Sequence, residues 1–123
     1  MFRILLAGSD ARLLATRAAV LLKTGAVVIH RDAMGTLNLL DREAFDLVVL
    51  CHSLPREDVA VIVDKVHEKN PGAKILMVAS ALDEYEMYPN TKIDATSIPE
   101  PGHLVALAKE LLQVTSYASH AGA

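Results

Sequence analysis

The chain has 123 residues, of which 52% are hydrophobic and 4% aromatic, and its formal net charge is −3. The length predicts a single domain whose core is built from Leu, Val, Ile and Ala. There is no basic run that would suggest a nucleic-acid surface, and no apolar run approaches the ~20 residues of a membrane span. The lone cysteine excludes an internal disulfide, and the N-terminus turns polar too soon for a signal peptide, so we expect a cytoplasmic protein.

Five short apolar runs predict β-strands. The runs cover residues 3–7, 26–30, 46–51, 73–79 and 94–98. Most of them are continuous rather than alternating, which is typical of strands that are buried on both faces of a sheet.

The segment after the first run has the spacing of an amphipathic helix. Ser9 or Asp10 is suited to cap this helix, and Gly25 to end it. The predicted apolar face consists of Leu13, Leu14, Arg17, Ala18, Leu21 and Leu22.

Further helices are predicted between the later runs. A second lies within residues 32–44, and a third begins near Arg56. Segment 82–91 allows only a short helical turn or two before Pro89, and a last helix is expected over 99–114. The small, polar residues 115–123 are expected to fray, which leaves one domain over 1–115 and a disordered tail over 116–123. The inward-facing residues of the third helix are Val59, Ile62, Val63 and Val66, and those of the last are Leu104, Leu107, Ala108 and Leu111.

This alternation of strands and helices predicts an α/β fold with a doubly wound parallel sheet. In the flavodoxin-like strand order 2-1-3-4-5, the strand order switches between strands one and three, and ligands bind there at the carboxyl ends of the strands. The segments to examine are therefore 7–10 and 50–53.

Segment 50–53 contains Cys51 and His52, where the third strand meets a loop. The thiol could be an activated nucleophile or redox switch, but neighbouring strand residues point to opposite faces, so His52 is badly placed to activate it. A metal site would need more ligands than this pair, and the other histidines show no ligand spacing. The simplest interpretation is that Cys51 packs as a small apolar side chain.

Two other stretches are candidates for binding. Residues 7–10, "AGSD", could hold an anion on helix N–H groups, although a tight turn with a helix cap explains them as well. Residues 83–88, "DEYEMY", could contact a partner protein or form a solvated turn. The candidate contact residues are Glu84, Tyr85, Met87 and Tyr88.

Three segments share a pattern: "ILLAGSDARLL" at 4–14, "FDLVVLCHSLP" at 45–55 and "IPEPGHLVALAKELL" at 98–112. Together with the length and element order, they resemble the receiver domains of bacterial two-component response regulators over about residues 2–114. The resemblance implies the CheY-like (βα)5 fold and phosphoryl transfer from a histidine kinase to an aspartate. It also implies a Mg²⁺-binding acidic pair, a hydroxyl residue, a lysine, and often a cis bond before the proline that follows the lysine.

The chain departs from that pattern at each of these positions. Matching the family places Gly8 and Ser9, or Ser9 and Asp10 with a shift of one, at the acidic pair. Cys51 takes the phosphoacceptor position. The hydroxyl position falls on Val78 or Ala79, and Ile98 replaces the lysine before Pro99. These changes would remove the metal site and the charge balance together, so the chain resembles a degenerate receiver, or pseudo-receiver.

We therefore expect a non-catalytic signalling module that acts through protein contacts without aspartate phosphorylation, and that needs no metal or cofactor. Its expected partners are two-component signalling proteins or a second copy of itself. We expect it to bind neither nucleic acid nor a membrane. One alternative is a stand-alone response regulator phosphorylated by a histidine kinase. The other is a thiol redox or small-ligand sensor centred on Cys51.

Overall fold

The computed structural model describes residues 1–79 and 93–121, with the side chains of the last helix given as far as Gln113. Five strands form one sheet: β1 (Arg3–Ala7), β2 (Val27–Arg31), β3 (Leu47–Cys51), β4 (Lys74–Val78) and β5 (Ala95–Ser97). Their order is β2-β1-β3-β4-β5, and every neighbouring pair is parallel. The predicted fold class and strand order are confirmed.

Four helices occur in the part of the chain that the structure describes. They are α1 (Ala11–Leu21), α2 (Ala33–Leu40), α3 (Arg56–Lys69) and α4 (Pro101–Ala121). The short helical turn predicted within 82–91 lies outside the described residues, as do the candidate contact residues Glu84, Tyr85, Met87 and Tyr88.

The ends of the first and last helices follow from local sequence. A 3₁₀ turn over Leu22–Thr24 follows α1, and Gly25 then takes the left-handed conformation with φ 84°, as expected for a helix terminator. Leu22 was predicted to be buried but is 57% exposed, because the tighter turn moves it off the apolar face of α1. The backbone of α4 is helical to Ala121, and no Gly or Pro lies between Gly102 and Gly122. The domain boundary at residue 115 and the disordered tail over 116–123 stay predictions.

Both faces of the sheet are covered, so the core has two halves. Ile4 and Leu6 point towards α1 and α4, whereas Leu5, Val48 and Ile75 point towards α2 and α3. The predicted inward face of α3 is fully buried, and Leu104 and Ala108 of α4 are buried with Leu112, while Leu107 and Leu111 pack at the margin. Every residue of β3 is buried, in keeping with its continuous apolar sequence.

The sheet register aligns the strand ends at one edge. Ala7 pairs with Leu50, and Cys51 pairs with Val78. Val78 in turn pairs with Ser97 of β5. The residues after β1, β3, β4 and β5 therefore meet at the carboxyl edge, where ligands bind in folds of this type.

Candidate functional site

Gly8 lies directly after β1 and is tightly enclosed. A Cβ atom at this position would lie 2.9 Å from Leu14 Cδ2, 3.2 Å from Cys51 Cβ and 3.2 Å from Ser53 Oγ. Real Cβ atoms almost never come as close as 2.9 Å to another heavy atom, so the end of the Leu14 side chain would have to shift, and Cys51 and Ser53 would be crowded. The structure thus brings Gly8 and Cys51 together, and a side chain at Gly8 would require its neighbours to move.

Ser9 and Asp10 both take part in hydrogen bonds near the start of α1. The Ser9 N–H donates to Ser53 Oγ at 3.0 Å, which ties the loop after β1 to the loop after β3. Asp10 Oδ1 accepts from the N–H groups of Arg12 and Leu13, at 2.9 and 3.2 Å. Asp10 therefore caps α1, and its carboxylate uses two of the N–H groups that an anion at this helix end would need.

Cys51 ends β3 with no solvent exposure, at 0%. Burial raises the pKa of its thiol, and a hydrogen bond and the charge of Arg17 only partly oppose this shift. The thiol is therefore held in its neutral form, which is a poor nucleophile and a poor metal ligand. Among the described residues, no cluster of three His, Cys, Asp or Glu side chains could hold a metal ion.

Arg17 lies at this edge, although the sequence analysis placed it only on the apolar face of α1. It has only 7% of its surface exposed, and its nearby guanidinium opposes part of the rise that burial causes in the pKa of Cys51. Nη2 lies 3.5 Å from His52 Nδ1, and the buried Nη1 has no hydrogen-bond partner. The available signal was its helical spacing with Leu14 and Leu21, both of which are buried. A permanent cation thus lies beside the strand end at which the sequence had predicted none.

The ends of β4 and β5 carry no side-chain hydrogen-bond donor at the positions that the family resemblance implies. Val78 and Ala79 are buried, and the Ala79 N–H donates to the Ser97 carbonyl at 2.9 Å. Ser97 supplies a hydroxyl at the end of β5, which donates to the Ile98 carbonyl at 2.7 Å and lies 3.0 Å from His103 Nδ1.

Ile98, at the lysine position, is 39% exposed. The predicted cis bond before Pro99 is wrong, because no peptide bond of the described residues, which include Ile98 and Pro99, is cis. Trans is the more stable isomer of most X–Pro bonds, and it prevails here.

Glu100 and His103 belong to the start of α4 rather than to a catalytic group. The Glu100 carboxylate accepts from the N–H groups of Gly102 and His103, at 2.9 and 2.7 Å. These two backbone bonds lower the pKa of Glu100. Since the carboxylate contacts backbone rather than the His103 ring, Ser97, His103 and Glu100 do not form a nucleophile–base–acid chain.

No helix of the described residues is long and apolar enough to cross a membrane. No protein-family model matches the chain, and no curated protein matches it either. Solved structures do match, and three of them illustrate the similarity.

A CheY-like response regulator receiver domain protein from Methanospirillum hungatei JF-1 is 25% identical, with 96% of this chain and 98% of that chain covered at a TM-score of 0.80. The signal receiver domain of an HD domain-containing protein from Pseudomonas fluorescens Pf-5 is 20% identical, with 96% and 91% covered at a TM-score of 0.80. The receiver domain of a Francisella response regulator is 13% identical, with 94% and 99% covered at a TM-score of 0.78. The similarity thus extends over nearly the whole length of each of these domains.

Proposed function

We propose that this chain, which has the fold of the CheY-like response regulator receiver domains, is a pseudo-receiver: a signalling module that acts through protein contacts without phosphorylation of an aspartate. The observation that carries the proposal is the end of β3. A fully buried thiol occupies the phosphoacceptor position that the resemblance implies, and burial raises its pKa despite the nearby charge of Arg17. Aspartate phosphorylation requires a carboxylate at that position.

Aspartate phosphorylation in receivers also implies a bound Mg²⁺ ion, and this chain lacks the ligands for it at the implied site. Mg²⁺ prefers oxygen ligands in near-octahedral geometry, commonly carboxylates. Gly8 supplies no side chain, and Asp10 is engaged as the cap of α1. The tight contacts around Gly8 support a closed edge that no longer needs space for a metal ion.

The positive charge at the carboxyl edge also differs from the one that the family resemblance implies. At the lysine position, Ile98 provides no charge, while Arg17 on α1 places a permanent one beside Cys51. A lysine at position 98 could form an ion pair with a phosphoryl group, whereas Ile98 cannot. The loss of this ion pair supports a domain that works without a phosphoryl group at the end of β3.

The redox alternative is less well supported. A sensor thiol needs a lowered pKa and access to solvent, whereas burial raises the pKa of Cys51 and leaves it unexposed. The phosphorylated response regulator remains the other outcome of the experiment below.

The proposed partners are two-component signalling proteins, as the names of the similar structures suggest, or a second copy of the chain. The proposed contacts include Glu84, Tyr85, Met87 and Tyr88, because exposed Tyr and Met side chains suit interfaces. We also propose that the protein works in the cytoplasm.

The direct test is intact-mass spectrometry after incubation with acetyl phosphate or an active histidine kinase and Mg²⁺. We expect no added phosphoryl group on the wild type or on Cys51→Ala, the control that removes the thiol. A phosphoryl group on both proteins would establish the response-regulator alternative with another acceptor. A phosphoryl group on the wild type alone would assign the acceptor to Cys51, and either result would overturn the proposal.

The second arm tests the protein contacts. The wild type and a variant with residues 82–91 replaced by a Gly/Ser linker are used to capture partners from native lysate, with and without acetyl phosphate. We expect the same proteins to be captured in both conditions by the wild type and to be lost with the replaced segment. Capture that appears only with acetyl phosphate would contradict the proposal.

A further inference from the structure

Arg17 is a buried cation without an anionic partner among the described residues. The ion pairs in this part of the chain join Arg3 to Glu43 and Lys65 to Asp41, both nearer the surface. Arg17 has only 7% of its surface exposed, and no carboxylate pairs with it. Buried charges are normally paired, so this guanidinium lacks the partner that such an environment usually provides.

The contacts that Arg17 does make are weak. Nη2 lies 3.5 Å from His52 Nδ1, which is at the outer limit for a hydrogen bond. Burial raises the pKa of the nearby Cys51 thiol and so keeps it uncharged, which leaves Arg17 without an anion there. Nη1 is buried and has no hydrogen-bond partner among the described residues. Two N–H groups of the guanidinium fork are therefore available for a stronger acceptor.

We infer that Arg17 and His52 form a binding site for a small oxyanion at the carboxyl end of β3, on the side of the sheet that α1 covers. A guanidinium binds two oxygens of a phosphate or carboxylate through parallel N–H bonds. One of these bonds would satisfy Nη1, and the second would replace the long contact of Nη2 with His52. The inference goes beyond the proposed function, because it needs neither a protein partner nor covalent phosphorylation.

His52 gives this site its entrance. Its side chain is only half-buried, whereas the neighbouring Cys51 is fully buried. Among the described residues the imidazole has one hydrogen-bond contact, the 3.5 Å distance to Arg17, and rotation of the ring would open a path from solvent to the guanidinium. The ring can then donate an N–H to the anion from outside. A narrow entrance of this kind favours a small free anion over a phosphate ester with a bulky substituent.

The test uses inorganic phosphate as the probe and the full-length chain. The melting temperature is measured against phosphate concentration at constant ionic strength, with NaCl as the balancing salt. A ligand that binds the native state raises the melting temperature along a saturable curve, whereas general salting effects increase steadily with concentration. Phenyl phosphate is titrated in parallel and distinguishes a free anion from an ester.

We expect a saturable rise with phosphate for the wild type and for Arg12→Met, in which an exposed arginine of the same helix is removed. Arg17→Met should lose the saturable part, and phenyl phosphate should produce none in any protein. An equal, non-saturating rise in the wild type and Arg17→Met, or no rise in the wild type, would overturn the inference.

A second measurement needs no variant. Phosphate should shift the NMR signals of the Arg17 Nε–Hε group and of the His52 ring in the wild type, with one saturation curve for both. Shifts confined to the exposed first turn of α1 would place the anion at the helix end instead and would also overturn the inference.

Discussion

Replacing Cys51 by aspartate places a carboxylate beside Arg17. From the sequence alone, Cys51→Asp would bury an unpaired acid, because no cation was predicted at this strand end. The structure changes that expectation, since the charge of Arg17 lies near Cys51 and both residues are buried, at 7% and 0% exposure. We now predict that the new carboxylate pairs with the guanidinium of Arg17.

The size of the effect follows from the burial of both groups. Cys51→Asp alone should lower the free energy of unfolding by less than about 1 kcal/mol, because pairing with Arg17 offsets the desolvation of the new charge. Arg17→Met alone should be neutral or stabilising, because it removes a buried charge that has no anionic partner. In the double variant the carboxylate is buried without a cation, and the loss should reach about 3–5 kcal/mol relative to Arg17→Met. The coupling free energy, which is the difference between these two losses, should therefore be about 2–5 kcal/mol.

The assay is urea unfolding at neutral pH, followed by circular dichroism, of the wild type, both single variants and the double variant. A parallel cycle with Arg12→Met provides the control, because Arg12 is exposed on the same helix and should couple to Cys51→Asp by less than about 0.5 kcal/mol. If the Arg17 cycle gave a coupling as small as the Arg12 cycle, the guanidinium would not face the side chain of residue 51, and the reasoning would be refuted.

Three further predictions concern the same edge. Gly8→Ala should lower the free energy of unfolding by about 1–3 kcal/mol through overpacking against Leu14. The control Gly72→Ala should not lower it, because a Cβ atom there meets nothing within 4 Å. Equal effects of the two variants would contradict the overpacking at Gly8. Iodoacetamide should label Cys51 only as fast as the protein unfolds, and rapid labelling of the native protein would show an accessible thiolate. The pKa of Cys51 is higher in the folded state than in the unfolded state, so the folded protein keeps the thiol proton to a higher pH. Stability should then fall above pH ~8.5, by at most about 1.4 kcal/mol per pH unit, and Cys51→Ala should remove that slope.

The fold could be predicted because its signals are local. The continuous apolar sequence of β3 can be satisfied only where both faces of a sheet are covered, and every residue of that strand is buried. The alternation of such strands with helices then leaves few topologies, among which the observed order was the one expected.

The details of the site depend on contacts between distant residues. Helical spacing placed Arg17 on the apolar face of α1, yet an arginine there could equally extend its charge to solvent. Instead its guanidinium lies under the sheet edge, 3.5 Å from His52, which is 35 residues away in the chain. The cis bond before Pro99 was expected only from the family resemblance, and the ordinary preference of X–Pro bonds for trans proved decisive.

The central claim is that the carboxyl edge keeps the receiver fold without its metal site, and Mg²⁺ titration followed by NMR tests it most directly. The backbone signals of Gly8, Ser9 and Cys51 report on the position at which the metal would bind. We predict no saturable shift of these signals at low millimolar Mg²⁺, because Gly8 offers no ligand, Asp10 caps α1 and the Cys51 thiol is neutral. Saturable shifts of all three signals at that concentration would contradict the account.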